Sequence, residues 1–295
     1  MSSSKLNSGY VYALLAYFCW GFFPIYWKFL KHVPLMQILA HRVLWAFVFY
    51  TLIIWIKDKK LSLFKPPTKK VFLWLIVATI MLMCNWLLYI YAVNSNQVIE
   101  SSLGYFINPI VNILFGVYFL KEKLSKAQII ASVCAAVGVC VIAADQGHIP
   151  VIALVLALTF SLYGLIKKTN PLPSLQSNQF ESVLFVVPAL VFIFLDSHDW
   201  LTTDNQISSV LFLVGSGVIT GLPLLFFSEA AKKIPYYMMG FFQFLAPSLQ
   251  FLCGVFLYNE PLSKTKIVGF SFIWTAALIL AAVGYLKNRF IPQKH

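Results

Sequence analysis

The chain has 295 residues, 60% of them hydrophobic and 11% charged, with a formal net charge of +12. So little charge cannot coat a soluble domain of this length, so the apolar excess faces lipid and a single membrane domain with short loops is expected. The basic residues sit in short segments between apolar runs, where they act as topology signals and do not point to a nucleic-acid partner.

About 20 apolar residues, rising about 1.5 Å each, cross the hydrocarbon core. Ten segments qualify: roughly 10–30, 35–56, 71–93, 100–120, 127–145, 149–167, 179–195, 208–231, 236–258 and 265–287. Lipid offers the backbone no hydrogen-bond partner, so each must be a helix. The first follows Lys5, carries Trp20, Pro24 and Trp27, and has no small-residue cleavage site, which reads as a retained helix and not a signal peptide. The second holds His41 and Arg42, the third Asn85, Trp86, Tyr89 and Tyr91, and the fourth Tyr105, Asn108 and Pro109. Tyr163 lies in the sixth, Glu181 and Pro188 in the seventh, Pro223 and Glu229 in the eighth, and Gln243 and Pro247 in the ninth. Cys19, Cys84, Cys134, Cys140 and Cys253 lie inside apolar runs without a CxxC pair and are expected to be small, reduced, buried residues.

Charge sets the orientation. With the N-terminus inside, 17 of the 22 Lys and Arg fall on inner segments, including Lys121, Lys123, Lys126, Lys167, Lys168, Lys232 and Lys233. The outer loops hold only Lys28, Lys31, Lys264 and Lys266, beside the acidic cluster Asp196, Asp199 and Asp204 with His198. Both termini are therefore expected in the cytoplasm.

The chain also repeats itself. Shifted by 138, Pro109–Lys126 falls without a gap on Pro247–Lys264, and Pro109/Pro247, Gly116/Gly254, Glu122/Glu260 and Lys126/Lys264 are among the identities. A shift of 139 places Arg42 on Glu181, and one of 143 places Trp20 on Tyr163. Residues 1–146 and 147–295 are expected to be two five-helix repeats, and an odd helix number inverts the second in the membrane. Inverted repeats that rock about a midplane site are typical of secondary transporters; duplication kept only for packing is the alternative.

Ala16-Tyr17-Phe18-Cys19-Trp20-Gly21-Phe22-Phe23-Pro24, His41-Arg42-Val43-Leu44-Trp45 and Asn85-Trp86-Leu87-Leu88-Tyr89 resemble the RarD type of EamA-like permease, in the drug/metabolite transporter superfamily. So do Ser102–Pro109 and Gly240–Pro247, and the order holds across nearly the whole chain. The resemblance implies ten helices in two inverted repeats, in the bacterial inner membrane, and a permease for metabolites, amino-acid-like compounds or drugs, often an exporter, with a central cavity. It implies no cofactor and names no ligand.

Arg42 lies about 10 Å into its span, where a charge costs several kcal/mol unless paired or hydrated. It reads as a cavity cation for an anionic group; a structural pair or a snorkel outward also fits its depth. His41 beside it is a candidate proton site or a satisfied polar residue. Trp20, Asn85, Trp86, Tyr89, Tyr105, Asn108, Tyr163 and Gln243 are candidates for an aromatic wall with polar anchors, or for hydrogen bonds within a dry core. Glu181, entering from the cytoplasmic end of the seventh span, is a candidate for coupling or gating, or for pairing with a cation; a snorkel to the interface also fits its shallow position. Glu229 is another, although a surface pair with Lys232 also fits its position. Pro24, Pro109, Pro223 and Pro247 are candidate hinges. A membrane enzyme would show a metal-ligand set or nucleophile group, and a channel a filter or polar stripe; no HExxH, DDxxD or Walker motif is present. The expected partners are the bilayer, a small-molecule substrate and protons as coupling ion, with no metal; the sequence leaves the oligomeric state open.

Overall fold

A computed structural model describes residues 3–57, 67–94, 98–144, 150–196, 206–258 and 263–290; they form twelve helices and, among the described residues, no strand. The first span is α1 (Ser3–Gly21) and α2 (Phe23–Lys28), followed by α3 (Leu35–Lys57), α4 (Lys69–Asn94), α5 (Val98–Tyr118) and α6 (Lys126–Ala144). Then come α7 (Val151–Thr169), α8 (Ser174–Leu195) and α9 (Gln206–Lys233), a ninth span made of α10 (Tyr236–Gln243) and α11 (Leu245–Tyr258), and α12 (Lys264–Phe290). Among the described residues, eight segments are long and apolar enough to cross a bilayer, and Leu103–Tyr118 is a shorter apolar helix. The protein is an all-α polytopic membrane protein whose helices follow the ten apolar runs of the sequence.

Two spans break, each at a proline. Pro24 lacks the N–H that would reach the Trp20 carbonyl four residues back, and Pro247 lacks the one for Gln243. Accordingly α1 ends at Gly21 and α10 ends at Gln243. The freed Trp20 carbonyl accepts from Gln250 Nε2 of α11 at 2.9 Å. In contrast, α5 and α9 run on through Pro109 and Pro223.

Cross-chain contacts define the two ends of the bundle. At one, His32 bonds Ser209 and Gln37 donates to Asp196. At the other, the Glu122 carboxylate accepts from the backbone N–H groups of Tyr236 and Tyr237, at 2.6 and 2.9 Å, and so caps α10. Lys121 makes this reach possible: its φ of 56° places it in the left-handed region, and the Glu122 N–H turns back to the Gly116 carbonyl at 3.0 Å. Lys168 Nζ closes the same end on the carbonyls of Ala231, in the last turn of α9, and of Ile234 just beyond it.

The densest packing falls in two groups, α1, α3, α8 and α9 in one and α4, α5, α6, α7, α10 and α12 in the other; α11 and α2 lie with the first, and α7 with α9 and α4 with α8 make the largest contacts between them. Within the second group, Gly138 of α6 and Gly269 of α12 meet with no room for a Cβ on either. Consecutive helices α7 and α8 thus fall in different groups, although only residues 170–173 join them.

Three expectations change. Lys167 is not a loop charge but a fully buried residue of α7. The seventh span begins at Ser174, because the polar run Ser174–Ser182 is folded into the core as helix. Cys84 and Cys140 are exposed and Cys253 is buried; all five cysteines are free. The outer cluster His198, Asp199 and Asp204, and the repeat residue Glu260, lie outside the described residues.

Candidate transport site

A cavity of about 770 Å³ lies between the two groups and reaches the His32 end through Lys31, His32 and Pro34. Its walls are aromatic, with Trp20, Trp27, Trp86, Tyr89, Tyr105 and Phe160 prominent, and no Asp or Glu is among the residues lining it. Tyr89 and Tyr105 meet edge to face at 6.0 Å, and Trp20 meets Phe160 at 5.8 Å.

With Lys31 at its mouth, the cavity carries a second cation, Arg42. Its guanidinium carbon lies 4.9 Å from the Trp27 ring centre and 4.4 Å from that of Trp86. Each such contact offsets roughly 0.5–2 kcal/mol of the cost of a cation in the membrane. Arg42 Nε donates to Thr220 Oγ1 of α9 at 3.0 Å, while the terminal nitrogens have no acceptor among the described residues. The fork is therefore held in place and left free to take a planar, bidentate anion.

Below the aromatic walls a polar lattice forms the floor. Asn108 Nδ2 donates to the Ala157 carbonyl at 2.7 Å and to Ser161 Oγ at 2.9 Å. Gln243 Nε2 donates to Asn108 Oδ1, and Gln243 Oε1 accepts from Asn112 at 2.6 Å. The Tyr236 hydroxyl lies 2.8 Å from Asn112 Oδ1 and 2.7 Å from the Ser161 carbonyl. Amides so well satisfied by protein rigidify the floor where α5, α7 and α10 converge.

Deeper toward the Glu122 end, Lys167 and Glu181 form an ion pair at 2.7 Å with exposures of 0% and 6%. The ammonium has three donors and meets three acceptors: Glu181 Oε1 at 2.7 Å, Ser177 Oγ at 2.7 Å and Asn178 Oδ1 at 2.5 Å. Glu181 also accepts from Tyr163 at 3.2 Å and from Ser177 at 3.1 Å. Asn178 extends the network to Ser228 of α9 and to Tyr50 of α3.

The candidate residues thus divide among three places. Trp20, Arg42, Asn85, Trp86, Tyr89, Tyr105 and Gln243 line the cavity, as does Pro247 behind the break of the ninth span and Pro24 behind that of the first. Asn108 belongs to the floor, and Tyr163 and Glu181 to the ion-pair network. His41 turns aside and accepts from Trp45 Nε1 at 3.3 Å. Glu229 pairs with Lys233 at 2.9 Å, one turn on, and not with Lys232, which reaches the Leu172 carbonyl. Sequence reasoning missed Trp27, Thr220, Asn112 and Lys167. The polar run Ser174–Ser182 signals that a buried partner is needed, but not which residue supplies it.

Residues 7–144 match the EamA-like transporter family. The chain is 39% identical to the "Uncharacterized transporter YojE" of Bacillus subtilis (strain 168), over 100% of both chains. It is 40% identical to "Protein RarD" of Salmonella typhi, over 95% of this chain and 96% of that one. This chain belongs to the EamA-like transporter family, among its RarD-type members. A solved crystal structure shares its fold, with a TM-score of 0.76 at 17% identity over 94% of this chain and 98% of the other. A RarD-type permease is a transmembrane transporter, and the Arg42 cavity is the candidate site for what it carries.

Proposed function

We propose that this RarD-type permease is a secondary-active exporter of small planar organic anions, aromatic carboxylates above all, working by alternating access. Residues 1–146 and 147–295 act as two inverted repeats in a bacterial inner membrane, with both termini in the cytoplasm. The described state opens its cavity outward and is closed at the cytoplasmic, Glu122 end. The lysine distribution supports this orientation, and the family match ending at residue 144 supports the repeat boundary.

One observation carries the substrate class: an arginine with free terminal nitrogens faces a large aromatic cavity that has no acidic lining. A carboxylate on a planar apolar body satisfies both features, whereas an organic cation is repelled by Arg42 and Lys31, finds no acidic group in the lining and competes with Arg42 for the Trp27 and Trp86 faces. A set of aromatic carboxylates, each paired with its neutral amide, tests this. Phenylacetate and similar acids should raise the unfolding temperature of the purified protein and their amides should not. Arg42→Ala should abolish the difference. If the amides stabilise as well as the acids, or if no acid binds, the substrate class is wrong. Counterflow in proteoliposomes with the best acid separates a carrier from a channel.

A further inference from the structure

The Lys167–Glu181 pair joins the two helix groups at the end opposite the open cavity. Lys167 stands on α7 in one group and Glu181 on α8 in the other. Asn178 ties the same point to α3 through Tyr50 and to α9 through Ser228. A rocking motion that opens this end must separate α7 from α8, α3 and α9, and so must break this pair.

A second cavity, of about 40 Å³, lies between Glu181 and the substrate site. Tyr50, Asn178 and Glu181 line its deeper side, and Arg42, Trp86 and Thr220 line both it and the large cavity. Its remaining walls are mostly apolar, with Val43, Leu82, Met83 and Phe185 among them. Only the shared residues Arg42, Trp86, Thr220 and Leu224 stand between the Glu181 carboxylate and the large cavity.

We propose that Glu181 is the proton-binding site of this transporter and that its pairing with Lys167 is the latch of the cytoplasmic end. The proposal rests on the alternating-access reading above. A proton from water in the large cavity adds to a Glu181 oxygen, converting carboxylate and hydronium to carboxylic acid and water, while Lys167 stays an ammonium. The buried pair, neutral as a whole, then carries one uncompensated positive charge. An unpaired buried charge is strongly unfavourable, and the nearest relief is hydration at the cytoplasmic end, two residues from the end of α7 at Thr169. The latch therefore opens inward, and the proton leaves to the cytoplasm as the pair reforms. Such a cycle exchanges an inbound proton for an outbound substrate.

The other titratable groups facing the pair fit this role. Tyr163 on α7 and Tyr50 on α3 are neutral donors. Lys232 on α9 lies close enough to act electrostatically on both members, and Glu229 near it is matched by Lys233. Across the small void stands Arg42. With Glu229 matched by Lys233, the cations Lys167, Lys232 and Arg42 outnumber Glu181, so loss of its negative charge leaves the site with unbalanced positive charge.

The test is a distance measurement on purified full-length protein lacking its five native cysteines. Spin labels at Thr169→Cys on α7 and Lys57→Cys on α3, both exposed positions, report the cytoplasmic opening. Acidification should raise the population of long distances several-fold. Glu181→Gln should give the long distances at every pH. The double variant Lys167→Gln/Glu181→Gln, which has no charge to expose, should stay short and lose its pH response. That pattern separates charge from a mere loss of hydrogen bonds. Unchanged distances in the wild type across pH, or a Glu181→Gln variant that still responds to pH, would overturn the proposal. Carboxylate-dependent thermal shifts that need Arg42 would survive that failure, and their absence would instead count against the substrate reading.

Discussion

Replacing Lys167 by methionine removes an ammonium that meets three acceptors and leaves Glu181 buried without its counter-ion. Breaking a buried pair from one side costs about 3–5 kcal/mol, because the remaining charge is stranded. Glu181→Met strands Lys167 in the same way and should cost a similar amount. The double variant strands neither; Ser177, Asn178 and Tyr163 can pair among themselves, and its loss should fall to about 1–2 kcal/mol. The coupling between the two sites is then about 4–9 kcal/mol, taken as the sum of the two single losses minus the double loss. Reversible unfolding in mixed micelles, with the midpoint followed by tryptophan fluorescence, measures all four proteins. Additive losses in the double variant would refute the argument, since they would mean that the two residues act independently. Single variants within about 0.5 kcal/mol of wild type would refute it as well, because surface substitutions behave that way.

Other substitutions test the remaining features. Glu122→Ala removes the cap on two backbone N–H groups of α10 and should lower stability by about 2 kcal/mol in the same unfolding measurement. Lys121→Gly relieves a left-handed lysine and should raise stability by about 0.5–1 kcal/mol. Gly217 of α9 lies against the backbone of Trp45 on α3, and a Cβ there meets that backbone at once; Gly217→Val should cost at least about 1–3 kcal/mol and cut the folded yield. For orientation, His32→Cys should react with a membrane-impermeant maleimide on intact cells, and Thr169→Cys only after lysis. The reverse order would invert the assigned topology.

Amino-acid composition and periodicity alone determined the solvent this chain folds in. Ten apolar runs could be nothing but helices, because a backbone in lipid must bond within its own segment, and the two spans that break do so where Pro24 and Pro247 withhold a donor. Arg42 was also legible, since a cation in an apolar run has to be explained by its surroundings. What surrounds it was not legible. Trp27, Trp86 and Thr220 come from the first, third and eighth spans and meet Arg42 only when the helices pack. The same holds for Lys167 and Glu181, which are 14 residues apart on separate helices. As sequence, Lys167 is one more lysine at the inner end of an apolar run, with the same hydropathy as its neighbour Lys168. Helix rotation decides that Lys168 reaches the carbonyls at the end of α9 while Lys167, about 100° further round, enters the core. Charge and hydropathy are properties of single residues and survive in a string of letters; which side chains face one another depends on helix rotation and crossing, and those are fixed by packing across the whole chain.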